Sequence, residues 1–334
     1  MKKLISISCL CLGILGCNKG TEPETTNNQK TLPTTSPATL SSEMVKVPAG
    51  EFTMGSNKVD NDGMQARYGF PAPLFLNEHP ERKVTLNTFY IDKFEVTNHQ
   101  YKQFLLKAKD GARGQVPVAW GQNGYGLAPS QMKTIPIDKL RNIAADHFKL
   151  DMDTREMSRE ALTTEMLAQQ AIEDTKPVAA VTWLDADKFC RWRKARLPTE
   201  QEWEKAARGT DSREFPWGNN WDPKITNTGD DAEEEEGISP VGAFANNASP
   251  YGAYDMSGNV WEWVSDWYAA IPGSNYTDDP EYGEKNKVIR GGSGGMGHYA
   301  ISYFYRNATR QYAPPETMAE DIGFRCVQET APTL

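Results

Sequence analysis

The strongest constraint on this chain is its load of aromatic side chains set among turn residues. Nine Trp, thirteen Tyr and twelve Phe, most of them beyond residue 89, are interspersed with 27 Gly and 21 Pro. Such a pattern predicts an aromatic, turn-rich core built from short elements. The 334 residues allow one large domain or two small ones, because single cores stop growing near about 250 to 300 residues. Charged residues make up 24%, as in soluble globular proteins. The formal net charge of -9 and the absence of a basic stripe argue against nucleic acid as a partner, since phosphate binding rests on clustered Lys and Arg.

The first residues carry a different message. Lys2 and Lys3 precede an apolar run from Leu4 to Leu15 that is too short to span a bilayer, and it ends in Ile14-Leu15-Gly16-Cys17. A lipobox needs a small residue before the cut and a thiol to accept diacylglycerol, which Gly16 and Cys17 supply in that order. The expectation is an exported chain, residues 1–17 being signal and lipobox, anchored to a bacterial membrane through a lipidated Cys17. Asn18 after the cysteine favours the outer membrane. Residues 18–43 are rich in Thr, Pro, Ser, Asn and Glu and nearly free of large apolar side chains, so burial cannot offset their ordering entropy and they read as a flexible tether.

Order is expected from Met44, where Val45 and Val47, then Phe52 and Met54, alternate with polar positions around Pro48-Ala49-Gly50. Short strands follow at Val84 to Leu86 and Phe89 to Ile91. Thr97 is placed to cap a helix from Asn98 to Leu105, with Tyr101, Phe104 and Leu105 inward. Residues 107–176 read as an insertion with a helical run from Ser158 to Glu173. Beyond it a strand at Pro177 to Val181 and helices at Leu184 to Arg193 and Thr199 to Arg208 are expected, the last with Glu200 and Glu202 in its first turn.

Seven ordered segments resemble the formylglycine-generating enzyme family, also called sulfatase-modifying factors, across residues 44–328. They are VPAGEFTMGS from Val47, FYIDKFEVTNHQY from Phe89, PVAAVTWLDADKFCRW from Pro177, RLPTEQEWEKAARG from Arg196, YGAYDMSGNVWEWVSDW from Tyr251, VIRGGS from Val288 and GFRC from Gly323. The resemblance implies an α+β fold of low regular secondary structure, an elaborated C-type-lectin type, in which Trp183, Trp192, Trp203, Trp261, Trp263 and Trp267 are core.

It also implies what is missing. Oxidising members of the family bind copper through two cysteines, one just after the GGS turn and one in a Ser-Tyr-Cys segment, as a soft ion requires. Here Gly297 and Phe304 hold those places, and neither binds copper. No copper is expected, although Met296 and His298 lie beside the first lost position. Cys190 and Cys326 match the family's disulfide pair. Asp255, Gly258, Val260 and Glu262 match its second calcium site, where side-chain and carbonyl oxygens suit a hard cation. A first calcium site would use Asn227 and the Thr228 carbonyl with an acid from Asp230, Asp231 or the run Glu233 to Glu236, which compete for the role.

The expectation for function is therefore a recognition or scaffold module in the cell envelope, with an envelope protein, peptide or glycan as partner. The alternative is a divergent, copper-independent enzyme of the siderophore-tailoring type. Its sequence hook is a groove lined by Met296, His298, Tyr299, Tyr303, Tyr305, Arg306 and Arg310, set against the reading that Arg306, Arg310 and Arg325 make internal charge-assisted bonds.

Overall fold

A computed structural model describes residues 43–331 apart from 71–72, 110–111, 119, 121–124, 126, 147, 149, 151, 229–236 and 295–301. The lipobox with Cys17 and the tether as far as residue 42 lie outside the described residues. No helix among the described residues is long and apolar enough to cross a membrane.

Three small sheets organise the chain. β1 (Met44–Val47) pairs antiparallel with β4 (Phe89–Asp92), whose other edge takes β9 (Val327–Gln328). β2 (Gly50–Met54) pairs antiparallel with β3 (Arg82–Leu86). The opening strands are thus not partners of one another: each takes a later strand. The third sheet runs β7-β6-β5-β8, from Gln311–Ala313, Lys287–Arg290, Trp261–Trp267 and Ile322–Phe324, with β5 and β8 parallel and the other pairs antiparallel.

α1 (Met64–Tyr68) is a single short turn region, whereas α2 (Asn98–Lys107) begins on a full capping box. The Thr97 hydroxyl accepts from the Gln100 N–H, and the Gln100 side chain accepts from the Thr97 N–H. Tyr101 and Phe104 are fully buried and Leu105 packs beside them, as the spacing predicts. The insertion carries α3 (Pro129–Thr134), α4 (Ile137–Asp146) and α5 (Arg159–Glu173). Met132, Leu140, Ala144, Phe148, Leu162 and Met166 form a cluster of their own there.

Residues 177–181 form no strand, contrary to the expectation, and Ala180 stands at φ +56°. A single bridge joins Pro177 to Thr97, and the N–H groups of Val178 and Ala180 go to the carbonyls of Val96 and Ala319. Apolar β-branched content reads as a strand from sequence, but here the backbone groups are satisfied by two separate loops. α6 (Trp183–Trp192) then carries Cys190, which is bonded to Cys326 with Cα atoms 5.6 Å apart. α7 (Glu200–Arg208) starts on a second capping box, Thr199 with Glu202.

Trp203, Trp261 and Trp263 are buried, but Trp192 is 37% and Trp267 36% exposed, and Trp183 is half-buried. The last two instead sandwich the Lys287 ammonium, 4.1 Å from one ring centroid and 3.7 Å from the other.

Candidate functional site

α7 sets the electrostatic frame of the interior. Glu200, Glu204, Lys205 and Arg208 all face inward, because each finds a partner that replaces water. Lys205 Nζ donates to the carbonyls of Pro48 and Gly50, and Arg208 donates to those of Thr53 and Gly55. Glu204 receives Arg290 at 2.7 Å and the Gly55 N–H at 2.7 Å. Glu200 receives Arg290 at 2.8 Å and Arg310 at 2.6 Å. Burial pushes the Glu200 carboxyl up, and the two guanidinium groups overcome that push and hold it below the ordinary value.

The candidate groove residues are absorbed into this frame. Arg306 is buried against Glu78 at 2.8 Å and also bonds Glu214. Arg310, besides Glu200, donates to the Asn77 and Ala269 carbonyls. Tyr303 is buried against Phe75, and the Tyr305 hydroxyl donates to the Ser293 carbonyl at 3.0 Å. The desolvated guanidinium and phenol groups of these four are spent on internal partners among the described residues. Met296, His298 and Tyr299 lie outside the described residues.

Phe304, which the resemblance sets against the family's second copper-binding cysteine, packs among Phe70, Trp261 and Tyr303, with ring centroids 5.6, 6.5 and 4.9 Å away. The only cysteines after residue 17 are Cys190 and Cys326, and both are consumed by their disulfide.

Asp255 and Glu262 do come together in the interior, with a third acid that the sequence reading missed. Glu262 is fully buried, with both oxygens on Arg325 and one also on the Trp203 indole N–H. Its carboxylate is thus held by Arg325 and Trp203 in the interior. Asp255 accepts the Gly242 N–H at 2.6 Å and lies against the carboxyl of Glu95. Glu95 accepts from Asn259 at 3.1 Å through one oxygen, while the other has no donor among the described residues.

Burial raises both acids, each reinforced by its neighbours, and Asp255 is pushed up to about 6. Two buried carboxyls in contact need a shared proton or a cation between them. The signal for Glu95 was an acid inside the otherwise apolar segment FEV after β4.

The Asp255 turn is tight: Gly258 has φ +87°, and a Cβ there would lie 2.4 Å from Thr226 Oγ1 and 2.5 Å from the Asn227 carbonyl oxygen. Among the described residues no group of three His, Cys, Asp or Glu is arranged to hold a metal. Asn227 is buried and donates to the Gly237 carbonyl and to Ser239, and Thr228 is buried next to it. Asp230, Asp231 and Glu233 to Glu236 lie outside the described residues.

An open cleft of about 300 Å³ lies between α2, the end of the insertion and the segment before β8. Trp120 and Asn98 form its floor, the indole N–H donating to Asn98 Oδ1 at 2.9 Å and the Asn98 amide donating to the Glu173 carbonyl. Lys176 is matched by Glu173 at 2.7 Å. Glu320 and Asp321 have no cation partner among the described residues, so this side of the cleft is acidic. Asp321 accepts from the Ser293 hydroxyl at 2.9 Å, which ties the cleft to the Gly291–Ser293 turn. None of these residues stands out as a site in the sequence, because they meet only through the fold.

The family model of the sulfatase-modifying factor enzyme 1-like domain matches residues 29–330. The formylglycine-generating enzyme of Bos taurus is 33% identical over 313 residues, which cover 87% of this chain and 76% of the bovine protein. The bovine protein named inactive C-alpha-formylglycine-generating enzyme 2 is 33% identical over 299 residues, 85% of this chain and 87% of its own. In fold, the chain resembles PvdO from Pseudomonas aeruginosa with a TM-score of 0.55 at 22% identity, over 88% of this chain and 96% of that one. With the α+β architecture, the Cys190–Cys326 link and the Trp-rich turn after Asp255 in place, the chain belongs to the sulfatase-modifying factor enzyme 1-like domain family.

Proposed function

We propose that this chain is a lipid-anchored protein of the bacterial envelope whose domain recognises a partner and does not oxidise a cysteine. The observation that carries the reading is Phe304, whose ring packs on Phe70 and Trp261 where oxidising relatives place a copper-binding thiol. Recognition falls to the cleft above Trp120, where Glu320 and Asp321 favour a cationic segment of an envelope protein or peptide. Calcium has a structural role in this reading, bound between Asp255 and Glu95 with carbonyl oxygens of the same turn, and copper has none.

The test uses the full-length chain with copper(I), oxygen and a cysteine-bearing peptide that also carries Arg. The expected result is peptide binding without aldehyde formation, and binding weakened by Glu320→Gln with Asp321→Asn. Aldehyde formation would overturn the reading. A different covalent product formed without copper would move the protein to the copper-independent enzymes. Anchoring is tested separately: Cys17→Ala should shift the chain from the detergent phase to the aqueous phase on partitioning.

A further inference from the structure

We infer that a second cavity, of about 340 Å³, between Asn57, residues 76–80 and residues 273–276 binds an uncharged, hydroxyl-bearing ring of monosaccharide size. The inference is independent of the acidic cleft, since the two cavities share no residue.

The lining decides the chemistry. Its walls contain no Asp, Glu, Lys or Arg, in a chain that is 24% charged. An ionic ligand would lose water there without meeting a counter-charge, which is costly. A wholly apolar ligand is disfavoured as well, because it would cover the amides of Asn57 and Asn275 without pairing them.

Those amides are available. Asn57 Oδ1 accepts the Glu81 N–H at 3.0 Å, and its Nδ2 has no partner among the described residues. The Asn275 side chain has none at either end. His79 Nε2 donates to the Lys58 carbonyl, and the free Asn275 Oδ1 is an acceptor. The site thus presents donors and an acceptor around one space, as a polyol requires.

A flat apolar wall completes it. Tyr276 is held edge-on against Tyr282, with centroids 6.0 Å apart, and its hydroxyl lies 3.4 Å from Asp279 Oδ2. The Ser274 hydroxyl accepts the Tyr276 N–H at 3.1 Å and fixes the turn that carries the ring. Leu76 and Pro80 supply further apolar lining, and Gly273 keeps the Pro80 side open, its missing Cβ lying 3.7 Å from Pro80. Aromatic faces pack on the C–H face of a sugar ring while the amides take its hydroxyls.

Saturation-transfer NMR on the full-length chain with glucose, galactose and N-acetylglucosamine tests the site, with glucosamine and glucuronate as charged comparators. The expected result is transfer to at least one neutral sugar, weakened about ten-fold by Asn275→Ala and by Tyr276→Ala at unchanged melting temperature. Glu320→Gln in the acidic cleft should leave that transfer unaltered. No transfer to any neutral sugar, transfer undiminished in both variants, or tighter binding of a charged sugar would overturn the inference.

Discussion

Arg325 lies bidentate across Glu262, Nη2 to Oε1 at 2.6 Å and Nε to Oε2 at 2.7 Å, and neither side chain reaches solvent. The guanidinium also donates to the Tyr254 and Asp92 carbonyls, so one side chain just past β8 ties β5 to the end of β4 and to the loop at Tyr254. Truncating either partner strands a buried charge. Arg325→Ala and Glu262→Ala should each lower unfolding free energy by about 3 to 5 kcal/mol in urea titrations. The double replacement by Met should lower it by less than the sum of the two.

Stability should depend on pH in two opposite ways. Asp255 has a folded pKa raised from 3.8 to about 6, so the folded chain holds this proton more tightly than the unfolded one. That contribution is fully present below 3.8 and is lost as pH rises through about 6. Glu200 and Glu214 have lowered values, so their contribution is present above 4.5 and fades as pH falls below it. Thermal melting in a chelator should therefore rise as pH falls through about 6 and decline again at more acid pH. Added calcium should raise the melting temperature at neutral pH and flatten the rise, whereas no response to calcium would remove the proposed cation.

Gly258→Ala is expected to destabilise the domain by about 2 kcal/mol or more, since its φ is left-handed and the added carbon meets the Asn227 backbone. Asn259, at φ +70°, is the neighbouring control: Asn259→Gly relieves its backbone but loses the bond to Glu95. Urea titration separates the two effects.

Removing the Cys190–Cys326 link by a double Cys→Ala change closes no loop in the unfolded chain. With a sequence separation of 136 between the cysteines, the chain-entropy model gives a loss of about 4 to 5 kcal/mol. Equal stability of the oxidised and reduced proteins in denaturant would contradict it.

The insertion should melt locally. Leu162→Ala opens a cluster that shares no side chain with the main core, so hydrogen exchange should quicken in α3, α4 and α5 before it does in β5 and β6.

What was legible in the sequence was mostly local or carried by ordered segments. The caps at Thr97 and Thr199 are four-residue signals, and both helices begin where those signals put them. The family and its α+β class follow from seven segments in order. Three-dimensional partnerships were harder to read. Glu78 and Arg306 are separated by 228 positions, and nothing in either segment announces the other. α3 and α4 were not read, although α4 turns a clear apolar face to the small cluster inside the insertion. Trp267 reads as core, yet its ring stays partly exposed to hold Lys287. Glu95 was hidden inside a segment valued for its apolar residues, although it is the acid that meets Asp255.

The three-stranded sheet β1-β4-β9 joins the start of the domain to its last residues through Tyr90 with Gln328 and Ile91 with Val327. A chain delivered from its N-terminus has its first two strands long before the third exists. Folding coupled to synthesis or to passage through a pore therefore cannot be completed until residue 328 emerges. The domain closes like a clasp, and the segment carrying Cys326 is the part that arrives last.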